Sequence, residues 1–387
     1  MAILLIAFAV IYMVYFAFTF NYPIEKQAAD TVEILTSFGG GTTPAGVICN
    51  PLRCLADLDI WMAGHNITRP AAEYLLGVLM VTQRSSGGNT AYFLGEVGGS
   101  GWWYYFPVVY LLKETIPVLI MIIAGFILAA LRIIKSISER RIKISEYLKT
   151  NFAEFSMLVF VVFYWIYSIK SPLNIGVRHI LPTLPFIYIL TASSLKKSFF
   201  INVKFSGTSW LAGFLNTFHV FRKNIWKVSV LFILIFWFLG ESVYAYPNYL
   251  SYFNELGSGK YYGYRIVTDS NYDWGQDLKA LAFFVKENNV SKIAVDYFGG
   301  GSPAYYLDDK YVSWWSAKNN PKEEGVEWLA VSVNTLESAV AETAPGFSRA
   351  PEDGYLWLKT LRNAPQNYAD VPKPDYRAGT SIFVYKL

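Results

Sequence analysis

The sequence predicts a polytopic α-helical membrane protein with a small α/β domain at its C-terminal end. Of the 387 residues, 53% are hydrophobic and only 16% are charged, whereas a soluble globular chain carries about 25% charged residues. Several apolar runs approach the ~20 residues that cross a bilayer as a helix. The segment after Tyr246 is instead polar, with mixed charge and alternating apolar positions.

About five membrane spans are predicted from the apolar runs. They cover residues 2–20, 106–131, 152–169, 180–195 and 228–246. Residues 21–105 form a large polar loop, in which the apolar stretch 71–81 is too short to span. Lys113, Glu114 and Pro117 fall inside the second run, where polar groups are costly unless they face protein or water.

Two strongly basic segments set the predicted orientation. Residues 132–149 carry six basic and two acidic side chains, and residues 196–227 carry six basic and no acidic ones. The positive-inside rule places both in the cytoplasm. Alternation then puts the 21–105 loop, the loop with Arg178 and His179, and residues 247–387 outside. The prediction is a multi-pass cell-membrane protein, with a membrane region over 1–246 and an extracytoplasmic domain over 247–387.

Within residues 247–387 the pattern predicts strands and helices in alternation, which favours a small α/β layer. Strands are expected over 292–298, 327–333 and 381–386, and helices over 273–288 and 353–362. The first of these helices is expected to be capped by Ser270 or Asp273.

The two cysteines, Cys49 and Cys54, lie close together in the predicted outer loop. An oxidising compartment favours a disulfide between them, and two reduced thiols are the alternative. No histidine or further cysteine stands at metal-ligand spacing from them, so no metal site is predicted.

Arg178 and His179 lie where one apolar run ends and the next begins. A guanidinium binds phosphate oxygens bidentately, and a neighbouring imidazole adds a hydrogen bond. Both suit a lipid phosphate at the interface. In the structural alternative, Arg178 reaches the headgroups of ordinary lipids and His179 caps the next helix.

An aromatic cluster precedes the second span and is flanked by Glu96 and Lys113. Its rings, among them Trp102, Trp103 and Tyr105, are typical of an interface anchor and also suit sugar stacking. Glu96 is a candidate acid or base, and Lys113 a candidate phosphate contact. A structural ion pair or a loop cap is the alternative for both.

The densest polar cluster is TDSNYDWGQDLK, which contains Asp269, Asn271, Asp273 and Asp277. If the segment is helical, pairs of these carboxylates share a face, which points to a metal site or a general base. Acidic residues also stabilise a helix start through the macrodipole. The nearby Gly299–Pro303 segment is interpreted as a turn, because it lacks the lysine and the spacing of a nucleotide-binding loop.

Three motifs together resemble the protein-mannosyltransferase-like family, lipid-carrier-dependent glycosyltransferases of the GT-C class. They are YFLGEVGGSGWWYYFPVVYLLKETIP, NIGVRHILPTLPFIYI and YPNYLSYFNELGSGKYYGYRIVTDSNYDWGQDLKAL. The resemblance implies transfer of a sugar from a polyprenyl-phosphate carrier to a protein, glycan or lipid acceptor on the outer face. It implies no cofactor beyond this lipid-linked donor. Arg178 and His179, with Lys113, become phosphate-side residues, and the aspartates of the third motif receive no role.

Members of this family carry several helices before the point where this chain begins, and an acidic base lies in their first outer loop. The resemblance therefore implies the C-terminal half of such an enzyme, which needs its other half or a partner subunit. If the chain acts alone, Glu96, Asp57 or Asp59 has to supply the base. The alternative function is a non-catalytic membrane protein that binds a lipid-linked sugar or an envelope partner; no nucleic-acid partner is expected.

Overall fold

The computed structural model describes residues 2–38, 50–138, 144–199, 222, 225–363 and 371–387. The chain is mostly helical, with a small region of β-sheet towards its C-terminal end. It divides into two compact units, Met1–Gly88 and Asn89–Leu387. The sequence predicted a different division, between a membrane region and a tail at residues 246 and 247.

The described residues of the first unit form four helices. They are α1 (Ala2–Thr19), α2 (Ile24–Leu35), α3 (Pro51–Ala63) and α4 (Arg69–Gly87). Arg69 joins three of them, because its Nη2 donates to the carbonyls of Thr19 and Tyr22 and its Nε donates to Gln27 Oε1 at 2.9 Å. The segment predicted as a polar loop is thus largely helical, and its apolar stretch 71–81 lies within α4. Cys54, in α3, is disulfide-bonded, and Cys49 lies outside the described residues.

Four helices among the described residues are long and apolar enough to cross a membrane. They comprise α1 in the first unit, Ile116–Ser136 of α6 (Ile116–Ser138), α8 (Phe152–Lys170) and α10 (Ile225–Ala245). At most 22% of any of these segments is buried within the protein, so their large apolar side chains point outwards. A helix that is apolar on all sides and uncovered is typical of a membrane span. The prediction of a membrane protein is confirmed at this level.

The second predicted span begins later than the sequence indicated. The chain forms α5 (Tyr105–Lys113), breaks at Glu114 and Thr115, and continues as α6, with Pro117 in its first turn. Asn254 compensates for the break, because its Nδ2 donates to the carbonyls of Leu111 at 2.7 Å and Glu114 at 2.8 Å. Lys113 and Glu114 therefore lie at a helix junction rather than inside a span.

The fourth predicted span is a composite element. A 3-10 helix, Val177–Thr183, leads into α9 (Leu184–Phe199), which has 16 residues. The 3-10 segment, called the boundary helix below, contains Pro182. α9 packs against α6 and α8, and the short helix α7 (Ile144–Thr150) precedes α8.

The C-terminal region contains all but two of the eight strands found in the described residues. The strands are β1 (Ala91–Phe93), β2 (Glu96–Gly98), β3 (Ile293–Asp296), β4 (Tyr311–Ser313), β5 (Trp328–Ser332), β6 (Glu342–Thr343), β7 (Tyr376–Ala378) and β8 (Ile382–Lys386). Five of them form a mixed sheet in the order β4-β3-β5-β8-β7, with β3 parallel to both β4 and β5 and β8 antiparallel to β5 and β7. The three predicted strands match β3, β5 and β8.

The helices of this region are shorter than predicted. They are α11 (Leu278–Glu287), α12 (Pro303–Leu307), α13 (Val333–Val340) and α14 (Leu356–Leu361). The expected helix over 273–288 starts only at Leu278, and neither Ser270 nor Asp273 caps it, since Asp277 holds the N-cap position. The Gly299–Pro303 segment is a turn that opens α12, as interpreted from the sequence.

Residues 91–113 share a core with the C-terminal region. Strand β2 pairs in parallel with β6, and the buried side chains of Phe93, Tyr105 and Phe106 pack in one cluster with Val267 and Tyr272. This shared core explains why the second compact unit starts at Asn89. It also fixes the helix junction at Lys113 against the loops that precede α11.

Candidate functional site

The loop between α8 and the boundary helix is held from two sides. On one side, the backbone N–H of Trp102 donates to Asn174 Oδ1 at 2.6 Å. On the other, the hydroxyl of Ser270 donates to the carbonyl of Ile175 at 2.5 Å. The chain that delivers Arg178 is therefore anchored both to the aromatic segment and to the aspartate-rich motif.

Gly176 is required for this close approach. Its φ is +123°, and a Cβ at this position would lie 2.2 Å from Ser270 Oγ. A residue with a side chain would have to displace Ser270 and adopt a backbone conformation that L-residues rarely populate. The glycine thus lets the loop lie directly on the motif.

Asn271 joins three parts of the second unit. Its side chain is fully buried; Oδ1 accepts from the backbone N–H of Val177 at 2.9 Å, and Nδ2 donates to the hydroxyl of Tyr105 at 2.8 Å. Its carbonyl accepts from Lys113 Nζ at 2.7 Å. Buried polar groups satisfied in this way hold one local geometry, so the start of the boundary helix is fixed immediately before Arg178.

The Arg178 side chain lies on an aromatic face. Its guanidinium carbon is 4.4 Å from the centroid of the Trp274 ring, a distance at which a cation and an indole attract each other. Arg178 is half-buried, and it makes no hydrogen bond or ion pair with any residue that the structure describes. Its N–H groups are consequently oriented by a ring and available to an anionic ligand.

His179 is half-buried in the boundary helix. Its Nε2 atom is buried and makes no hydrogen bond within the described part of the protein. The imidazole can add one hydrogen bond to a ligand that Arg178 binds.

Lys113 is engaged with the backbone. Its Nζ donates to the carbonyl of Leu250 at 2.6 Å and to that of Asn271 at 2.7 Å, and it lies 4.7 Å from the centroid of the Phe253 ring. Burial lowers the pKa of Lys113 to about 7. Two of its three N–H donors are already used, so Lys113 connects the helix junction to the motif. Through Asn271 it belongs to the same assembly as Arg178.

The aromatic cluster is divided between core and surface. Tyr105 is fully buried and hydrogen-bonded to Asn271, whereas Trp103 is 72% exposed. Trp102 packs on Phe93, with 5.5 Å between ring centroids. Of the three predicted site residues, Tyr105 therefore supports the site from inside, and Trp103 is placed to meet lipid or a ligand.

The aspartates of the motif do not share a helix face. Asp269 adopts a φ of +53°, and its carboxylate accepts from the backbone N–H of Ser270 at 2.5 Å. Asp277 Oδ2 accepts from the backbone N–H groups of Thr380 at 2.7 Å and Ser381 at 2.8 Å. Asp277 thus connects the motif to the start of β8. Its partners are more than a hundred positions away in the sequence, so the local pattern could not predict this role.

Asp273 is the most deeply buried acid of the motif. It is 0% exposed, its Oδ1 accepts from the N–H of Gly275 at 3.0 Å, and its Oδ2 has no hydrogen-bond partner among the described residues. Burial raises the pKa of Asp273 to about 7. Among those residues no group of His, Cys, Asp and Glu is arranged to hold a metal ion.

Of the three candidate bases, one lies in the second unit and two lie in the first. Glu96 lies half-buried in β2, and its side chain forms no hydrogen bond or ion pair with the described residues. In the first unit, Asp57 pairs with Arg53 at 2.6 Å. Asp59 is fully buried with both carboxylate oxygens unpaired among the described residues, and burial together with Glu73 raises its pKa to about 7.

Sequence reasoning missed Trp274, Asn174 and Ser270, which position Arg178. Trp274 is 54% exposed although it follows a buried aspartate. Its role depends on the tertiary contact with Arg178, which no local sequence signal reveals. The other two act through the tertiary fold.

Comparisons with known proteins give no relative for this chain. No protein-family model, no curated protein and no solved structure matches it.

Proposed function

We propose that this chain is a membrane glycosyltransferase, or the C-terminal half of one, of the protein-mannosyltransferase-like class. It transfers a sugar from a polyprenyl-phosphate carrier to an acceptor on the outer face of the membrane. The observation that carries the proposal is Arg178, a guanidinium oriented by Trp274 and without a hydrogen-bond partner among the described residues. It lies eight residues beyond Lys170, the last residue of the apolar helix α8.

The position of Arg178 suits a lipid phosphate. A charged side chain at the edge of a membrane-spanning helix is retained where it has a partner. Guanidinium and phosphate pair bidentately, with two parallel charge-assisted hydrogen bonds. The anchored loop at Asn174 and the buried Asn271 fix the backbone on which Arg178 stands. A carrier whose tail lies in the bilayer would present its phosphate at this level.

The orientation in the proposal follows from the distribution of charge. In this orientation the chain has five spans, and α9 and the boundary helix together form the fourth. Both basic segments lie in the cytoplasm. Arg178 and the C-terminal region then face outwards. Most of the second basic segment, residues 200–221, lies outside the described residues, so this part of the proposal stands on the sequence.

The reaction is an inverting displacement at the anomeric carbon. The acceptor oxygen forms a bond to this carbon, and the bond from the carbon to the carrier phosphate breaks, with its electron pair leaving on the phosphate. Arg178 stabilises the negative charge that develops on the leaving phosphate. A base has to take the acceptor proton; Glu96, Asp57 and Asp59 are the candidates in this chain, and Asp57 is the weakest because Arg53 already holds its carboxylate.

One observation favours an alternative. Glu96, the candidate base in the same unit as Arg178, hydrogen-bonds to no described residue of the Arg178 assembly, which suits a membrane protein that binds a lipid-linked sugar or an envelope partner without transferring the sugar. Such a protein would use Arg178 in the same way for binding. The two functions differ only in whether the bond between sugar and phosphate breaks.

The test is sugar transfer by the full chain in liposomes that contain a radiolabelled polyprenyl-phosphate hexose, with a cell-envelope extract as the source of the acceptor. The glycosyltransferase proposal predicts release of polyprenyl phosphate, and its loss in Arg178→Gln but not in Lys170→Gln. Lys170 is an exposed cation at the end of α8 and serves as the matched control. The binding protein would be supported instead if this chain binds the carrier but releases no polyprenyl phosphate. The same must hold after the chain is combined with the remainder of a larger enzyme.

A further inference from the structure

A cavity opens among three helices of the second unit, away from Arg178. It lies between α6, α8 and α9 and has a volume of about 410 Å³, within the ~300–1,000 Å³ of ordinary ligand sites. Its walls are mainly apolar, and the residues that form them include Phe126, Ala129, Ala130, Ile133, Phe155 and Leu158. Apolar walls that face the bilayer suit a hydrocarbon chain.

One end of the cavity is charged. Arg132, Glu154 and Lys197 line it together. Lys197 Nζ contacts both carboxylate oxygens of Glu154, at 2.6 and 2.8 Å. These residues stand near the end of α6, the start of α8 and the end of α9, so three helix ends meet at one level. That level is where a spanning helix meets the headgroups.

Two cations and one carboxylate are found among the described residues that line the charged end. Glu154 pairs with Lys197. Arg132 Nη2 donates to the carbonyl of Ser194 at 3.0 Å and to Ser198 Oγ at 2.6 Å, which holds the guanidinium in place. Its Nε and Nη1 have no hydrogen bond to the described residues. The N-terminus of α8, whose N-cap Asn151 also lines the cavity, adds partial positive charge.

We propose that this cavity is a binding site for an anionic phospholipid. One acyl chain lies along the apolar walls, and the phosphate is bound by Arg132 with Lys197 beside it. Basic pockets between membrane helices recognise anionic headgroups in this way. A zwitterionic lipid would bring its own cation next to Arg132 and gain less. This ligand is a structural lipid of the bilayer, separate from the sugar carrier of the proposed function.

A second cavity provides the matched control. It has a volume of about 450 Å³ and lies between α6, α9 and α10. Its cation is Lys196, the neighbour of Lys197 in α9, and its other end holds Glu114 and Tyr188, which are hydrogen-bonded to each other. Substitution of Lys196 removes the same charge from the same helix without touching the proposed site.

The experiment uses the full chain in phosphatidylcholine vesicles that contain a phosphatidylglycerol with a photoreactive group in its acyl chain. Cross-linked peptides are identified by mass spectrometry and quantified against a phosphatidylcholine probe with the same group. We expect the phosphatidylglycerol probe to label the cavity walls in α6, α8 and α9. Arg132→Gln and Lys197→Gln should each weaken this labelling by about fivefold, since a basic residue near a headgroup contributes about 1 kcal/mol. Lys196→Gln should leave it unchanged.

A variant without a charge change keeps the test decisive if Arg132→Gln fails to fold. Ala130 is exposed and lines the cavity, so Ala130→Phe fills it from the lipid side and should abolish labelling of the cavity walls. Equal labelling by the two lipid probes, or an equal loss in Lys196→Gln, would overturn the proposal. Displacement of the probe by excess glycerol 3-phosphate would also overturn it, because the site would then bind a soluble phosphate.

Discussion

The guanidinium carbon of Arg178 lies 4.4 Å from the centroid of the Trp274 ring, and this contact joins the boundary of a membrane helix to the loop before α11. The backbone next to each partner is held by a hydrogen bond. Arg178 follows Val177, whose N–H is bound by Asn271, and Trp274 precedes Gly275, whose N–H is bound by Asp273. The contact explains why two separate sequence motifs are needed for one site.

The first prediction concerns Trp274. Trp274→Leu removes the ring on which Arg178 lies, and a cation–aromatic contact of this kind contributes about 0.5–1 kcal/mol. We expect the affinity for polyprenyl phosphate to fall roughly two- to fivefold, and Trp274→Phe to lose less. Equilibrium binding of a fluorescent polyprenyl phosphate to the chain in micelles measures this. Trp315→Leu is the control, because Trp315 also carries a cation, Lys318 at 4.4 Å, elsewhere in the C-terminal region; an equal loss there would contradict the assignment.

The second prediction concerns the buried amide of Asn271. Asn271→Ala leaves the N–H of Val177 and the hydroxyl of Tyr105 without their partner. Each buried group left unsatisfied costs about 1–3 kcal/mol, so for two groups we expect the free energy of unfolding to fall by about 2–6 kcal/mol. Thermal unfolding followed by tryptophan fluorescence measures the change. Asn288→Ala removes an amide at the exposed end of α11 and should cost far less; similar melting temperatures for the two variants would refute the role of Asn271.

The third prediction is a pH dependence due to Asp273. Burial raises its pKa to about 7 in the folded protein, against about 3.9 in an unfolded chain. Between these values the folded state binds more protons than the unfolded state, so its stability falls as pH rises from about 4 to about 7. The loss from this one group approaches about 1.4 kcal/mol per pH unit.

Asp273→Asn should remove this part of the slope, because a neutral amide has no proton to lose. Unfolding by denaturant at pH 5 and pH 8 provides the comparison. Asp309→Asn replaces an exposed carboxylate. The dependence of stability on pH in this variant should equal that of the unaltered protein. A slope that persists in Asp273→Asn would assign the effect to another group.

The membrane helices could be predicted from the sequence because an apolar run is a local property. α1, α8 and α10 lie within a few residues of their predicted bounds. The break at Glu114 was missed because it is stabilised by Asn254, which donates to the exposed carbonyls from a distant loop. The helix α3 was missed because its apolar positions are few among polar residues. Of α4, only the apolar stretch 71–81 was noted, and it is too short to span a membrane.

The candidate site was likewise predicted only in part from the sequence. The sequence identified Arg178 as a charge where one apolar run ends and the next begins, and the structure places it in the boundary helix between α8 and α9. The aspartates of the motif were expected to share a face only if the segment is helical, and the segment is not one helix. Asp277 instead accepts hydrogen bonds from Thr380 and Ser381, a contact that no local pattern reveals. Trp274 acquires its role only when the fold brings it onto Arg178.

The most direct test of the central claim is the affinity of the chain for polyprenyl phosphate when the charge of Arg178 is removed. Hydrogen bonds between charged groups contribute about 1.5–3 kcal/mol each, so we expect Arg178→Gln to weaken binding at least tenfold and Arg178→Lys to retain part of it. The exposed cation Lys170, removed in Lys170→Gln, should have little effect. Unchanged affinity in Arg178→Gln, or an equal loss in Lys170→Gln, would contradict the assignment of Arg178 as the phosphate-binding residue.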